Sequence, residues 1–303
     1  MHLLILGPSG QVGGMLTEVF KLQPIKEISR ITTVGRTDAD RALPAIEARP
    51  LDELLDRLNP NIIVNAIAYT AVDKAESDVQ TAQALNARLP KCLADWCQKN
   101  DALLIHYSTD FVFDGTKDSS WIESDSVAPL SVYGETKLAG EEALQQSSAS
   151  SVTLRTSWVY GETGNNFMKT MVRLAADREV LGVVADQQGS PTYSRDIAEA
   201  THRLISEYIK DPELFNAKQQ LFHLSGKGKT TWHGFAKEIF AQASNFETLK
   251  INTLNAISTS DYPTPAIRPA NSVMNCQAIE DKYGIVMPVW TDSLQQALSR
   301  HYM

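Results

Sequence analysis

Short, continuously apolar segments alternate with amphipathic stretches along the first two thirds of the chain. The apolar segments are rich in Val, Ile and Leu and show almost no polar alternation, which is typical of strands buried on both faces of a parallel sheet. The predicted strands span residues 2–6, 31–34, 61–68, 102–109, 151–161 and 220–226.

Amphipathic helices are predicted between these strands. Residues 50–58 have apolar positions at helical spacing and end just before an Asn-Pro pair, as expected because a residue before proline avoids the helical conformation. Residues 77–100 predict a long helix that bends near Pro90, and residues 194–209 predict another, with Ser194 as its N-cap. Strands joined in this way predict an α/β fold built on a doubly wound parallel sheet of Rossmann type.

After residue 160 the pattern loses its regular alternation. Residues 165–177 predict a helix, residues 179–192 predict a strand and a loop, and the C-terminal part carries several prolines and short helical segments. This part is expected to form a smaller C-terminal substrate-binding lobe over the carboxyl edge of the sheet. The predicted division assigns residues 1–160 and about 193–226 to a dinucleotide-binding domain, and about 161–192 and 227–303 to the substrate lobe.

Composition narrows the classes of partner. The chain has 303 residues, of which 43% are apolar, and a formal net charge of -8. No basic run is present, and nucleic acid is not an expected partner because phosphate backbones are bound by clustered cations. The N-terminal apolar stretch is too short for a signal peptide, and no segment reaches membrane-spanning length. The predicted location is therefore cytoplasmic, without a membrane partner.

The chain's three cysteines are Cys92, Cys97 and Cys276. They show no CxxC or Cys/His spacing of the kind that binds zinc. Reduced, buried thiols and the absence of a metal site are the resulting predictions.

A glycine-rich turn follows the first predicted strand. Gly7, Gly10 and Gly13 are spaced as GxxGxxG between that strand and a helix. Glycine in this context allows a tight turn and close approach to a pyrophosphate, which the N–H groups and dipole of the following helix attract. The predicted cofactor contacts of this turn are Gly7, Ser9, Gly10, Gln11, Val12 and Gly13.

The end of the second strand suggests which dinucleotide is bound. Arg36 stands where an acidic residue would bind the 2′-hydroxyl of NAD, and its guanidinium suits the 2′-phosphate of NADP. Asp38 and Asp40 lie slightly further on and leave NAD possible. NADPH is the predicted cofactor, with NADH as the alternative.

Three residues have the chemistry of carbonyl reduction. Thr109 ends a predicted central strand, where open α/β sheets place their ligands. Tyr133 and Lys137 are four residues apart on a predicted helix, so both side chains project from one face. An ammonium near the phenol is expected to lower its pKa, and such a Tyr can protonate a carbonyl oxygen while a hydride reaches the carbon. Thr109 is expected to hydrogen-bond the same oxygen, and Tyr133 and Lys137 to contact the cofactor.

These motifs together resemble the extended short-chain dehydrogenases/reductases, and within them the family of dTDP-4-dehydrorhamnose reductases. The resemblance spans most of the chain in the family's order. It is carried by the stretches LGPSGQVGGML, NIIVNAIAYTAVDKAESD, HYSTDFVFDG, SVYGETKLAGEEAL, LRTSWVYGETGNNFMKTMVRLA, VVADQQGSPTYSRDIA and RPANSVMN.

The resemblance implies a substrate, dTDP-4-dehydro-L-rhamnose, and further site residues. Thr109, Tyr133 and Lys137 fall on the family's catalytic triad. Considered alone, Trp158 suits either an apolar floor for a sugar or core packing, and Arg268 suits either a diphosphate or a surface salt bridge. The implied cofactor contacts are Ala66, Ala68 and Tyr69, and the implied substrate contacts are Val72, Asp73, Thr109, Asp110, Trp158, Gln187, Thr192, Arg268 and Asn271.

The chain departs from some relatives at two positions. Those relatives carry carboxylates that support a magnesium-bridged dimer, whereas this sequence has Met15 and Arg195 there. Because hard cations need oxygen ligands, a dimer bridged by magnesium is not expected. A monomer and a homodimer formed in another way both remain open.

Three other functions have to be weighed against reduction. Related 4,6-dehydratases carry a Thr-Asp-Glu motif, and the corresponding run here is Thr109-Asp110-Phe111, which lacks the second acid. An epimerase that returns its own hydride is distinguished by the absence of net NAD(P)H consumption. A non-catalytic regulatory subunit that binds NADP is distinguished by the absence of turnover.

Overall fold

The central feature of the fold is a six-stranded parallel sheet. The computed structural model describes residues 1–35, 48–215 and 220–303. Strands β1 to β5 and β10 form this sheet in the order β10-β5-β4-β3-β1-β2, with every pair parallel. The strands are β1 (His2–Leu6), β2 (Arg30–Val34), β3 (Ile62–Asn65), β4 (Leu103–Thr109), β5 (Ser151–Thr156), β6 (Val159–Tyr160), β7 (Val180–Val184), β8 (Gln188–Gly189), β9 (Thr192–Tyr193), β10 (Gln220–His223), β11 (Thr230–Thr231) and β12 (Thr253–Ile257).

Helices cover both faces of this sheet, so the predicted fold class is confirmed. Leu3 and Ile5 of β1 enter a core that includes residues of α1, α8 and α10, whereas Leu4 and Leu6 enter a second core with residues of α2, α5 and α6. Successive residues of a strand point to opposite faces, which is why the strands are apolar without alternation. The helices are α1 (Gln11–Leu22), α2 (Ala48–Leu58), α3 (Val72–Ala75), α4 (Val79–Gln83), α5 (Leu89–Asn100), α6 (Val132–Gln146), α7 (Phe167–Asp177), α8 (Ser194–Lys210), α9 (Trp232–Ala243), α10 (Gln277–Tyr283) and α11 (Trp290–His301).

A second group of elements forms the smaller, C-terminal part of the structure. Two-stranded pairings join β7 to β12, β8 to β11 and β6 to β9. Helices α7, α9 and α11 pack around an aromatic core that includes Tyr160, Tyr193 and Phe235. The division into two lobes at the boundaries given above stays a prediction. None of the described helices combines the length and apolar content needed to cross a membrane.

Three strands are shorter than predicted. The strand predicted at 61–68 ends at Asn65, the one predicted at 220–226 ends at His223, and the one predicted at 151–161 is split into β5 and β6. The split falls at Trp158, whose φ of 45° places it in the left-handed region and prevents the strand from continuing.

The helical predictions differ from the structure at two places. The long helix of residues 77–100 is irregular because a π-helical turn, Ala84–Arg88, lies between α4 and α5. Pro90 lies in the first turn of α5, where a missing N–H is tolerated. Ser194 was predicted as an N-cap, and this is wrong: Tyr193 is the N-cap of α8, and the Ser194 hydroxyl is buried without a hydrogen-bond partner among the described residues.

Candidate active site

The glycine-rich turn connects β1 to α1 at the carboxyl edge of the sheet. Gly7 has a φ of 84°, and its N–H donates to the carbonyl of Val34 at 2.9 Å. Gly10 is the N-cap of α1 and makes no side-chain capping bond, so the first-turn N–H groups stay free for an anion. A Cβ on Gly13 would lie 2.1 Å from the Gly7 carbonyl oxygen. This tight turn with free N–H groups fits a pyrophosphate.

The other residues of the turn that were predicted to contact the cofactor differ in how exposed they are and in whether their side chains already have partners. Ser9 is exposed, and Val12 is half-buried and packs against the core. Gln11 accepts a hydrogen bond from the Asn166 side chain at 3.0 Å, so its amide is already engaged. The predicted contact Arg36 lies outside the described residues.

Replacing Gly13 with Ala is expected to weaken NADPH binding at least tenfold and to destabilise the fold by about 1–3 kcal/mol. The added methyl group must push the Gly7 carbonyl away, which opens the turn. Isothermal titration with NADPH and urea unfolding measure both effects. Gly182→Ala is the control because its Cβ would meet only the Ile257 side chain, at 3.3 Å or more, and no backbone atom. Unchanged NADPH affinity in the Gly13 variant would contradict the assigned role of the turn.

The segment after β3 lies beside this turn. The Ala66 N–H donates to the carbonyl of Leu6 at 3.1 Å, and Ala66 backbone atoms lie 3.2 Å from where a Cβ on Gly7 would be. Ala68 and Tyr69 follow and are half-buried. The Asn86 side chain accepts the N–H of Tyr69 at 2.8 Å and so fixes this segment from the π-helical turn. The three predicted cofactor contacts after β3 are thus placed next to the glycines.

Helix α6 carries two of the three predicted catalytic residues. Its N-cap Ser131 accepts the N–H of Gly134 at 3.2 Å. A Cβ on Gly134 would lie 2.3 Å from the carbonyl oxygen of Phe111, and one on Gly140 would lie 2.2 Å from that of Asn86. Because no side chain larger than hydrogen fits at these two positions, α6 packs closely against the segment after β4 and against the π-helical turn. This packing fixes where the helix presents its reactive side chains.

Tyr133 and Thr109 meet at the end of β4. Burial raises the pKa of the Tyr133 phenol to about 12, although a hydrogen bond with the Thr109 side chain opposes the shift. The ring of Phe111 contacts Tyr133 edge-on, with centroids 5.4 Å apart. The expectation that Lys137 lowers this pKa is wrong for this structure, because burial dominates the shift and Lys137 does not contribute to it.

The Lys137 side chain runs into the interior, with only 1% of its surface exposed. Its Nζ donates to the carbonyl of Tyr107 at 2.5 Å and lies 3.4 Å from Nε2 of His106. Burial lowers the pKa of Lys137 to about 8, and the Glu141 carboxylate partly opposes this. An ammonium that has exchanged most of its water for few partners is easier to deprotonate.

Asp110 shares the Thr109 hydroxyl with the phenol. Thr109 Oγ1 donates to Asp110 Oδ1 at 3.0 Å and accepts the N–H of Phe111 at 3.2 Å. A hydroxyl can donate only one hydrogen bond, and here Thr109 donates it to the Asp110 carboxylate. Asp110 is buried and its Oδ2 has no hydrogen-bond partner among the described residues; burial raises its pKa to about 6. Thr109 can therefore donate to a substrate oxygen only by releasing Asp110.

Two predicted substrate residues pair with each other. Arg268 forms a two-pronged ion pair with Asp73, with nitrogen–oxygen distances of 2.7 Å and 3.1 Å. The Asp73 carboxylate also accepts the N–H of Ala266 at 3.2 Å, and these contacts lower the pKa of Asp73. Val72 precedes it as the first residue of α3 and is half-buried. The pair joins α3 to the C-terminal part of the chain.

Three other predicted substrate residues have their polar groups engaged. Thr192 donates to the Ser190 carbonyl at 3.2 Å and is fully buried. Asn271 donates to the carbonyl of Lys117 at 2.6 Å. Gln187 is buried and donates to Thr259 at 3.0 Å. These contacts hold loops in place, and a direct contact with a substrate would need rearrangement.

Trp158 stands between the two parts of the chain. Its ring stacks on Trp232 with centroids 3.5 Å apart, and a Cβ on Gly189 would lie 2.3 Å from it. The side chain is only partly buried. One ring face is thus covered by packing, which supports the core-packing interpretation, and the residual exposure leaves a surface for an apolar ligand.

Several buried polar residues around the site were missed by sequence analysis. Glu141 and Arg155 form a buried two-pronged ion pair at 2.9 Å and 2.6 Å. Asn65 and His106 are register partners on β3 and β4. Both interrupt otherwise apolar strands, and that polar interruption is the signal that could have identified them.

The two positions that differ from some relatives form a charged contact on α1 and α8. Arg195 pairs with Glu18 and with Glu199, each at 3.0 Å, and its Nη1 lies 3.9 Å from the Met15 sulfur. A guanidinium therefore occupies this surface and neutralises its acids.

A glycine turn at the first strand, with Thr at the fourth strand end and a Tyr and Lys on the following helix, defines a short-chain dehydrogenase/reductase. The family model of the RmlD substrate binding domain matches residues 1–303, and the chain belongs to this family. It is 43% identical to a dTDP-4-dehydrorhamnose reductase of Shigella flexneri, over 99% of this chain and 97% of the relative.

Solved structures of similar chains agree with this assignment. A dTDP-4-dehydrorhamnose reductase of Clostridium acetobutylicum has a TM-score of 0.88 at 32% identity, covering 100% of both chains. One from Bacillus anthracis, solved in complex with NADP, has a TM-score of 0.86 at 32% identity and 99% coverage of both chains. A UDP-glucose 4-epimerase of Brucella ovis, at 15% identity and a TM-score of 0.78, covering 99% of both chains, shares the fold alone.

Proposed function

We propose that this protein reduces the C4 ketone of dTDP-4-dehydro-β-L-rhamnose to dTDP-β-L-rhamnose with NADPH. The observation that carries the proposal is the placement of Thr109, Tyr133 and Lys137 at the carboxyl edge of the sheet, which also holds the glycine-rich turn. The 43% identity with a dTDP-4-dehydrorhamnose reductase supports the choice of sugar nucleotide.

The cofactor supplies a hydride to the ketone carbon when it is bound. Tyr133 has a pKa of about 12, so its phenol carries its proton at neutral pH. The alkoxide that develops on the sugar is a stronger base than tyrosinate, and proton transfer from Tyr133 is therefore favourable. Lys137 is the residue we assign to the nicotinamide ribose. Thr109 orients the phenol through its hydrogen bond and can turn toward the sugar oxygen.

The structure has a suitable place for the dinucleotide. The free N–H groups at the start of α1 suit the pyrophosphate, as described above. Arg36 is proposed to bind the 2′-phosphate. The NADP complex of the Bacillus anthracis relative favours NADPH over NADH. The proposed contacts are Gly7, Ser9, Gly10, Gln11, Val12, Gly13, Arg36, Ala66, Ala68, Tyr69, Tyr133 and Lys137.

The substrate is proposed to lie between the sheet edge and the C-terminal part of the chain. Arg268 would bind the diphosphate by exchanging Asp73 for phosphate oxygens, which a guanidinium accommodates with similar geometry. Trp158 would offer its exposed ring surface to the deoxysugar. The remaining proposed contacts are Val72, Asp73, Thr109, Asp110, Gln187, Thr192 and Asn271.

Two alternatives are less well supported by the site. Dehydration needs a second acid beside Asp110, and that position holds Phe111, whose ring packs on Tyr133. A regulatory subunit needs no phenol, hydroxyl and amine arranged at the sheet edge, whereas here Thr109 and Lys137 are buried and the half-buried Tyr133 lies beside Thr109.

An assay of NADPH oxidation with the dTDP-4-keto sugar tests the proposal. One NADPH is expected to be consumed for each dTDP-rhamnose formed, and NADH is expected to be the poorer reductant. The same assay with the UDP-linked keto sugar tests the nucleotide base. An isomer at the oxidation level of the keto sugar, formed without net NADPH consumption, would indicate an epimerase. The absence of turnover with intact NADPH binding would indicate a regulatory subunit.

The partners proposed are the small-molecule substrate and cofactor, without nucleic acid or membrane, in a cytoplasmic enzyme. The net charge of -8 supports the exclusion of nucleic acid. The Arg195 pairs with Glu18 and Glu199 argue against a magnesium ion at that surface, so we propose a monomer or a homodimer without a bridging metal.

A further inference from the structure

We propose that His106, held by Asn65, is a positioning residue that favours the neutral amine of Lys137 and so makes the lysine's proton labile. This inference rests on the proposed function, because it concerns the lysine assigned to catalysis. His106 and Asn65 lie behind the residues that are proposed to face the ligands.

The geometry of this buried chain is well defined. Asn65 and His106 are register partners on β3 and β4, and both are buried. Asn65 Nδ2 lies 3.1 Å from His106 Nδ1, and His106 Nε2 lies 3.4 Å from Lys137 Nζ. Asn65 also accepts the N–H of Ile67 through Oδ1 at 3.2 Å. This last bond fixes the orientation of the Asn65 amide, so that its NH₂ group faces the imidazole.

Two donors therefore approach one imidazole. A neutral imidazole offers a single lone pair, and an ammonium offers none. Because Asn65 donates to Nδ1, the proton of His106 resides on Nε2 and points toward Lys137. An N–H group that points at an ammonium is repelled by it, because both groups are donors. A neutral amine has a lone pair and can accept a hydrogen bond from the same N–H group. The hydrogen bonds around His106 thus favour the uncharged lysine.

Other groups around Lys137 act in both directions. The Glu141 carboxylate on α6 favours the ammonium form of Lys137. Both oxygens of that carboxylate already accept hydrogen bonds from Arg155 of β5. Tyr133 is on the same helix as Lys137, and Asp110 directly follows β4, the strand that carries His106. The Tyr107 carbonyl on β4 accepts a bond from either form of the lysine. Burial lowers the pKa of His106 well below its ordinary value, so the imidazole stays neutral. Among the hydrogen-bonding contacts of Lys137, the contact with His106 is the one that favours the neutral amine.

The test is the titration of Lys137 in the free protein by ¹³C NMR of lysine labelled at Cε, with Lys137→Met to assign the signal. The wild-type midpoint is expected near the value of about 8 that burial produces. His106→Gln presents a carbonyl oxygen to the amine and is expected to raise the midpoint by about one pH unit. The high-pH limb of kcat/KM is expected to move by the same amount, since that profile reports groups of the free enzyme.

A second variant and a control keep the test decisive. Asn65→Leu removes the competing donor and frees Nε2 to accept from the ammonium, so the same upward shift is expected if His106→Gln does not fold. His2→Gln replaces another buried histidine, which bonds Thr32 and Leu58 instead, and is expected to leave the midpoint unchanged. A midpoint unchanged in both His106→Gln and Asn65→Leu would overturn the proposal. The NMR titration needs no substrate, so failure of the proposed reaction would leave its result intact.

Discussion

Replacing Tyr133 with Phe is expected to lower kcat for NADPH-dependent reduction by roughly 10²–10⁴-fold, the range for one acid–base group. The variant keeps the ring that packs edge-on against Phe111 and loses only the hydroxyl. The neighbouring Thr109 hydroxyl donates its hydrogen bond to Asp110 and so does not replace the phenol as a proton donor. Steady-state kinetics at saturating NADPH and keto sugar measure the change.

The control for this variant is Tyr208→Phe, in which a half-buried phenol of α8 packed on Phe215 loses the same atom. Its kcat is expected to match wild type. NADPH affinity of Tyr133→Phe is expected to fall only slightly, because most proposed cofactor contacts lie elsewhere. Turnover of Tyr133→Phe within a factor of about three of wild type would refute its role as the proton donor.

Replacing Glu141 with Ala is expected to lower the free energy of unfolding by about 3–5 kcal/mol. The pair that Glu141 forms with Arg155 is buried, with side-chain exposures of 1% and 3%. Its loss leaves a guanidinium in the interior beside Phe113 and 3.5 Å from His223. Urea unfolding followed by circular dichroism measures the change. Glu142→Ala, an exposed neighbour on the same helix, is expected to stay within about 0.5 kcal/mol of wild type.

A double variant separates the cost of an unpaired charge from that of lost packing. Glu141→Leu combined with Arg155→Met removes both charges and is expected to recover most of the stability lost in Glu141→Ala. The ion pair joins α6 to β5. A Glu141→Ala variant as stable as wild type would show that this pair does not stabilise the contact between the two elements. Since α6 carries Tyr133 and Lys137, its displacement is also expected to reduce activity.

Most of the sheet could be predicted because burial on both faces leaves a local signal. Each of the six predicted strands begins within one residue of the observed strand, and three of them, predicted at 61–68, 151–161 and 220–226, extend beyond its observed end. The exceptions have causes that act through tertiary structure. The strand predicted at 151–161 ends early because Trp158 turns into the left-handed region to stack on Trp232.

The glycine turn and the Thr109, Tyr133 and Lys137 set were also predictable, because each is tied to the end of a strand or to one helix face. The side chains that surround these residues could not be predicted from the sequence. The approach of His106 to Lys137 depends on the sheet order and on the close packing of α6, and neither is local in sequence. The raised pKa of Tyr133 has the same origin, because burial depends on packing that spacing alone does not reveal.

The most direct test of the central claim is the fate of deuterium carried at both hydrogen positions of nicotinamide C4 of NADPH. Wild-type enzyme and the dTDP-4-keto sugar are expected to yield dTDP-rhamnose with the deuterium at sugar C4, seen by mass spectrometry and by loss of that proton signal in NMR. The product of Tyr133→Phe is expected to carry the same label but to form far more slowly. Unlabelled rhamnose, or a label at another carbon, would contradict hydride transfer to the C4 ketone at this site.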